Sequence, residues 1–330
     1  MFKKQILVIL ILFSIFLISG CKNNQKKVNE FPEIVNNLDS YKITGKLYSM
    51  FPTGTKESLI TVYFQKPEMY RVEIDNGTSG DKQIILKNNN DVFVLLPSVN
   101  KSFKLRSGWP INSSYPYLLQ SLSKDYVNDD NKVITKEEKT TTIEMKMKMF
   151  DNASASTEKV IFSNETGYPQ EVQVFDDNKN LVSRFVYMNI EENPKLDQTL
   201  FLKNETMTAS FETYSSIEYQ REKTYPTYYP INTKLEDEKT TVNNNERTYI
   251  MTYKGDVNYT IIEQEVIKTE KERTTYLDGD IYILGDAVAV INKSMVTFFQ
   301  SGMEYLVASN EVNTLELLKM AYSLIVYQEK

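Results

Sequence analysis

From Tyr41 to Met188 the dominant rhythm is an exchange of apolar and polar side chains at every second position, and this alternation restricts the fold more than any other feature of the chain. Period two sends neighbouring side chains to opposite faces of a pleated strand, so each such run is a strand with one wet and one dry face. Tyr41 to Tyr48, Leu59 to Phe64, Tyr70 to Ile74 and Gln83 to Leu86 read as such half-buried strands, and Val92 to Leu96 and Ser102 to Leu105 come next. Thr142 to Met149, Val160 to Phe162, Glu171 to Phe175 and Leu181 to Met188 form a second group. The last two flank Asp176-Asp-Asn-Lys-Asn180, which has the residues of a hairpin loop. Short strands this close together, with few helices between them, make an antiparallel meander, here one curved sheet.

Three stretches have helical spacing. Glu30 to Leu38 would bury Ile34, Val35 and Leu38. Tyr117 to Tyr126 repeats Leu118, Leu119, Leu122 and Tyr126 behind Pro116, with Ser113 or Ser114 as cap. Thr314 to Tyr327 follows a capping Asn313 and lines up Leu315, Leu318, Tyr322 and Ile325. Lys203 to Lys223 is polar and strand-poor, and Tyr225-Pro-Thr-Tyr-Tyr-Pro230 closes it with two prolines. Beyond it, 248–253, 259–266, 280–284, 287–291, 296–299 and 304–308 read as strands. The expectation is an α+β domain over 30–202, a linker over 203–223, and a smaller antiparallel α+β domain over 224–330 that ends in a helix.

The N-terminus has the layout of a cleaved leader over residues 1–20. Lys3 and Lys4 precede an apolar run from Ile6 to Ile18 that is too short to span ~30 Å of hydrocarbon and ends in small residues. Ile18-Ser19-Gly20-Cys21 resembles the lipobox read by lipoprotein signal peptidase, which implies a diacylglycerol on Cys21 and a mature protein on the extracytoplasmic face of the membrane. Residues 21–29 then form a tether whose Lys22, Lys26 and Lys27 meet anionic headgroups; the eight residues after Cys21 reach at most ~28 Å.

Composition narrows the function. Cys21 is the single cysteine, so no disulfide joins two parts of the chain. There is no histidine, which removes the usual general base, triad partner and zinc ligand. Without Lys3 and Lys4, 36 basic side chains face 44 acidic ones, and nucleic acid is no partner for such a surface. Ser98-Val-Asn-Lys101 and Ser121-Leu-Ser-Lys124 match Ser-x-x-Lys, but Ser-Asp-Asn and Lys-Thr-Gly are missing. The loop at Asp176 has Leu181 and Tyr187 where a calcium loop needs Gly and Glu, and Asp278-Gly-Asp280 reads as a turn. No enzyme activity, metal or cofactor is expected.

Two stretches carry a family resemblance. Tyr70-Arg-Val-Glu-Ile, Gln83-Ile-Ile-Leu-Lys-Asn, Val92-Phe-Val-Leu-Leu-Pro-Ser-Val-Asn-Lys, Ser107-Gly-Trp-Pro-Ile-Asn-Ser-Ser and Tyr117-Leu-Leu-Gln-Ser-Leu, with Asn193-Pro-Lys-Leu-Asp-Gln-Thr-Leu-Phe201, resemble the LolA-like lipoproteins of endospore formers, of the YdcC sporulation and GerS germination type. Tyr276-Leu-Asp-Gly-Asp280, Val296-Thr-Phe-Phe, Gly302-Met-Glu-Tyr-Leu and Leu315 to Leu324 look like the C-terminal module of Gram-positive sigma-factor regulators, with Phe298 or Phe299 where that module often has tryptophan.

The resemblance implies a LolA/RseB-like antiparallel half-barrel with helices on its concave side. It also implies a sporulation or germination role: binding and regulating a cell-envelope partner such as a cortex-modifying amidase, as GerS-type proteins do. The alternatives are a lipid or lipoprotein carrier that takes acyl lipid on the concave face, and an envelope-stress sensor. On such a fold Trp109, Tyr115, Tyr117 and Leu118 would either rim the concave opening or anchor the helix at Tyr117. Met145, Met147 and Met149 would either line a groove or fill the core. A carrier needs an open apolar cavity of several hundred Å³, on the order of that of other ligand sites, whereas a partner binder needs none.

Overall fold

The computed structural model describes residues 28–325 apart from 76–81, 90, 107, 111–112, 151–155, 215–218 and 220. The leader, Cys21 and most of the tether lie outside the described residues. Among those described, no helix is long and apolar enough to cross a membrane.

A seven-residue helix, α1 (Phe31–Asn37), leads into β1 (Ser40–Phe51), which pairs along its full length with β2 (Gly54–Gln65). The meander continues through β3 (Met69–Asp75), β4 (Lys82–Asn88), β5 (Asp91–Leu96) and β6 (Lys101–Leu105). Helix α2 (Leu119–Asn128) follows, then β7 (Val133–Lys136), β8 (Thr140–Met147), β9 (Ser156–Ser163), β10 (Pro169–Phe175) and β11 (Leu181–Glu192). Strand β11 returns to pair with β1, so the two groups of strands join into one sheet. The hairpin at Asp176 forms as expected: its carboxylate accepts from Asn178 N at 3.0 Å and Asn180 N at 2.7 Å.

Helix α3 (Lys203–Tyr214) occupies the first half of the polar stretch 203–223. A second sheet takes β12 (Lys234–Asn243), β13 (Glu246–Lys254), β14 (Tyr259–Glu265), β16 (Asp280–Leu284), β17 (Ala287–Ile291), β18 (Met295–Gln300) and β19 (Met303–Ala308). Helix α4 (Thr314–Tyr322) closes the chain, and Asn313 caps it by accepting from Glu316 N. Between β14 and β16, β15 (Arg273–Leu277) crosses back and adds to the first sheet, parallel to β6. The first sheet therefore runs β15-β6-β5-β4-β3-β2-β1-β11-β10-β9-β8-β7, open at both ends, and the second runs β12-β13-β14-β19-β18-β17-β16. This is the α+β fold expected: a large open sheet, antiparallel except at β15, and a smaller antiparallel one ending in a helix.

The inner face of the large sheet holds Tyr41, Ile43, Val62, Val72, Ile85, Val94, Phe103, Ile143, Val160, Val172 and Phe185. These belong to one continuous core with α1, α2, α4 and the second sheet. The outer face has only a small core of its own, where Met207 of α3 covers Ile84, Leu86, Phe93 and Leu95. Arg71 fastens this cover by donating to Thr206 Oγ1 at 2.7 Å and Leu200 O at 3.0 Å.

Polar bonds stitch the two sheets together. The buried Gln83 amide donates to Phe299 O and accepts from Val288 N, both at 2.8 Å, while Ser58 Oγ donates to Gly285 O at 2.6 Å. Lys56 pairs with Asp286 at 2.9 Å, and Lys101 pairs with Glu304.

Three local expectations change. Helix α2 begins at Leu119, and no side chain caps it. Ser114 Oγ instead accepts from Lys148 N at 3.1 Å, and Ser114 N donates to Lys148 O at 2.6 Å, tying the loop before α2 to the end of β8. Strand β8 stops at Met147, so Met149 lies past the strand end. The C-terminal helix ends at Tyr322, short of Tyr327.

Candidate functional site

Among its described residues the loop between β6 and α2 joins neither sheet, and its aromatic side chains find cover on the inner face. Trp109, Tyr115, Tyr117 and Leu118 are all buried, Trp109 to 3% exposure. They stand inside the protein and not around an opening. Trp109 meets Tyr70 edge-on at 5.6 Å between centroids and Tyr115 at the same distance. The contacts run on in one line of rings, Tyr41-Phe64-Tyr70-Trp109-Tyr115-Tyr117-Phe185-Tyr187, at spacings of 4.7 to 6.2 Å. Edge and offset geometry of this kind adds to the stabilisation from burial. Burial pushes the Tyr70, Tyr115 and Tyr117 phenols up, so none ionises near neutrality.

Helix α2 is held at both ends of this line. Tyr41 Oη donates to Gln120 Oε1 at 2.6 Å, and Tyr187 Oη donates to Pro116 O at 2.8 Å. Ser121, the first residue of a Ser-x-x-Lys match, turns inward and accepts from Tyr115 N at 2.7 Å. At the other match, Lys101 is held by Glu304.

Met145, Met147 and Met149 are buried in the same core. The space left between Tyr115, Tyr117, Met147, Met149, Val174 and Tyr282 is about 30 Å³. That is room for a water molecule, far below what an acyl chain occupies. A larger hollow of about 470 Å³ opens at the β7 end of the large sheet, where Val133, Met145 and Phe175 line it beside Glu144, Lys146, Glu158, Lys159 and Lys179.

Two acids lie buried where α2 packs on the sheet. Glu158, on the inner face of β9, is 1% exposed and neither carboxylate oxygen has a hydrogen-bond partner. Burial, then the neighbouring Asp125 carboxylate, pushes its pKa well above the carboxylate range. Burial likewise raises Asp125 of α2 to about 6, against the pull of a hydrogen bond to Ser114. Neither residue belongs to a sequence motif, although each sits where the pattern calls for an apolar side chain. Glu158 shares its face of β9 with Val160 and Phe162, and Asp125 lies one turn beyond Leu122.

In the second sheet Glu263 is raised to about 7 by burial, while accepting from Thr224 N at 2.9 Å. Among the described residues no three acids, cysteines or histidines gather as metal ligands. Asp278-Gly-Asp280 is a turn: Gly279 has φ +151°, and a Cβ there would stand 2.2 Å from Ile291 O.

The family model described as Sporulation protein YdcC-like matches residues 3–201. Over 330 residues, 98% of this chain and 97% of the other, the chain is 29% identical to Sporulation protein YdcC of Bacillus subtilis (strain 168). Among solved structures, the Pseudomonas aeruginosa MucA/MucB complex aligns at TM-score 0.33 and 12% identity, covering 90% of this chain and 96% of that one. A LolA superfamily protein from Nitrosomonas europaea aligns at TM-score 0.33 and 14% identity, covering 54% and 98%. The CwlD amidase of Clostridioides difficile in complex with the GerS lipoprotein aligns at TM-score 0.27 and 12% identity, covering 51% and 92%. Likenesses this loose carry no inference about what this chain binds.

Proposed function

Because this chain belongs to the YdcC-like family of sporulation proteins, we propose that it is a non-enzymatic, membrane-anchored lipoprotein that binds and regulates a cell-envelope partner during sporulation or germination. A cortex-modifying amidase is the partner class of first choice, on the resemblance to GerS-type proteins. Cys21 is the lipid attachment point in this reading, and the short tether keeps the folded part close to the outer leaflet of the membrane that carries it.

One observation supports partner binding over lipid carriage. Around Tyr115, Tyr117, Met147 and Met149, where a carrier would hold an acyl chain, the chain's own rings and methionines leave about 30 Å³ among the described residues. The lack of histidine removes the usual general base for hydrolytic chemistry there.

The test is an affinity pull-down of the tagged full-length chain from membranes of cross-linked sporulating cells, with bound lipid extracted from the same eluate. Recovery of a wall amidase without stoichiometric acyl lipid is the expected result. Acyl lipid or other lipoproteins alone would replace the reading with a carrier, and peptidoglycan cleavage by the purified chain alone would replace it with an enzyme. A Cys21→Ala variant is expected to lose the processed, lipid-modified form.

A further inference from the structure

The second sheet ends on β12, a ten-residue strand with no proline and with every residue exposed. One side of its backbone pairs with β13, and the other presents the unpaired groups of an edge strand. An edge this long invites another strand, and natural proteins usually shorten, cover or kink such edges.

The charges on β12 indicate which strand fits. A bulge between Leu235 and Asp237 resets the alternation, so Leu235, Glu238, Thr240 and Val242 share the face of Tyr253, Met251, Tyr249 and Arg247 across the pair, and Asp237, Lys239 and Thr241 share the other. Glu236 and Glu238 already have cations, Lys254 at 2.6 Å and Lys223. Asp237 and Lys239 have no ion-pair partner among the described residues, although they stand two positions apart on one face.

We propose that β12 is the edge through which two copies of this chain pair, antiparallel and centred on Glu238. A two-fold axis normal to the sheet makes an isologous contact in which opposed residues share a face. With the axis at Glu238, Asp237 of each copy faces Lys239 of the other, so both unpaired charges are matched twice. The two Glu238 carboxylates meet at the axis, each bringing its Lys223 and the Tyr225 hydroxyl that donates to it at 2.9 Å. Other centres fit worse. An axis at Asp237 sets Glu236 against Glu238 twice, and an axis at Lys239 brings two ammoniums together and leaves Asp237 opposite Thr241.

The test uses the full-length chain in native membranes, in a Cys21→Ala background so that an introduced thiol is the only one. On oxidation, Glu238→Cys is expected to give a covalent dimer and Val242→Cys, which lies opposite Lys234, is not. In detergent-solubilised full-length protein, Asp237→Lys and Lys239→Asp should each weaken self-association at least tenfold by light scattering, and the double exchange should restore it. A wild-type chain that stays monomeric at every concentration, a double exchange that fails to rescue, or equal cross-linking at Val242 would each overturn the pairing. Cross-linking of Glu238→Cys only to a different protein would assign the edge to a foreign strand and overturn it as well.

Discussion

The two halves of the inner face are covered by different means. Over β1 to β5 the cover is a line of aromatic rings and strands β17 and β18 of the second sheet, neutral and interlocked through Trp109, Tyr115 and the Gln83 amide. Over β8 to β10 the cover is α1 and α2, with Phe31 edge-on to Phe162 at 5.0 Å, Met145 and Met147 filling irregular space, and two buried carboxyls. The first half owes its cohesion to shape and does not titrate near neutrality. The second contains groups whose charge state and packing are linked, so any loosening of the inner face that follows pH starts under α2.

The comparison breaks first at Trp109. Trp109→Ala removes the ring that joins Tyr70 to Tyr115 and is expected to destabilise the protein by roughly 3–5 kcal/mol, the cost of a large buried aromatic. Urea melts of the two proteins would measure it; a loss under about 1 kcal/mol would mean that the ring line is not what holds the loop. Next comes Gln83→Ala at the seam, which strands Val288 N and Phe299 O in the interior at about 1–3 kcal/mol for each group. Proteolysis of the variant should release the second sheet before the first if the seam depends on this amide.

The same division explains which parts of the molecule the sequence discloses. Strands with one dry and one wet face, such as β1, β2 and β8 to β11, announce themselves by alternation, because burial selects every second residue. Strand β12, Lys-Leu-Glu-Asp-Glu-Lys-Thr-Thr-Val-Asn, is wet on both faces and alternates nothing; β7 is exposed throughout in the same way. Strand β15 joins the first sheet by a parallel pairing from far along the chain, which no local pattern encodes. Among its described residues, helix α3 buries one apolar side chain, Met207, in the small outer core.

For the candidate site, residue type was legible and depth was not. Trp109, Tyr115, Tyr117 and the three methionines stand out in the sequence as apolar and clustered, yet rim and core make the same demand on composition. The decision rests on whether the loop 106–118 folds inward, and that follows from long-range bonds such as Tyr187 Oη to Pro116 O. Asp125 and Glu158 carry the reverse lesson. A charged residue at a dry position of an otherwise regular pattern marks a buried titratable group, and this signal is readable without coordinates.

A third test concerns those acids. In the folded chain Glu158 titrates well above 4.5 and Asp125 near 6 instead of 3.8, so the unfolded chain releases their protons first as pH rises. Their contribution to stability is therefore fully present below the unfolded pKa values and is lost as pH climbs through the folded ones, beginning near pH 4 and continuing past 6. Glu158→Met removes the larger part of this dependence, since a neutral side chain of similar length suits a pocket that already holds two methionines. The variant should be more stable than the wild type at pH 8, by about 1–3 kcal/mol, the cost of a buried polar group left without a partner, and gain little at pH 4.5. A wild type whose stability rises through that window would show that the acids are paired and charged, and the contrast between the halves would fail.

The smallest effect is expected where the halves meet. Tyr187 closes the ring line against Phe185 at 4.7 Å, donates to Pro116 O ahead of α2, and lies near enough to Glu158 for that carboxylate to raise its pKa further, beyond the larger effect of burial. Tyr187→Phe keeps the ring and removes the hydroxyl, which should cost about 1 kcal/mol, the net worth of one hydrogen bond. If the two halves are energetically separate, that loss adds to the effect of Glu158→Met in the double variant to within about 0.5 kcal/mol. A larger coupling would mean that the Tyr187 hydroxyl conveys the charge state under α2 to the loop carrying Trp109, so that protonation on one half sets the order of the other.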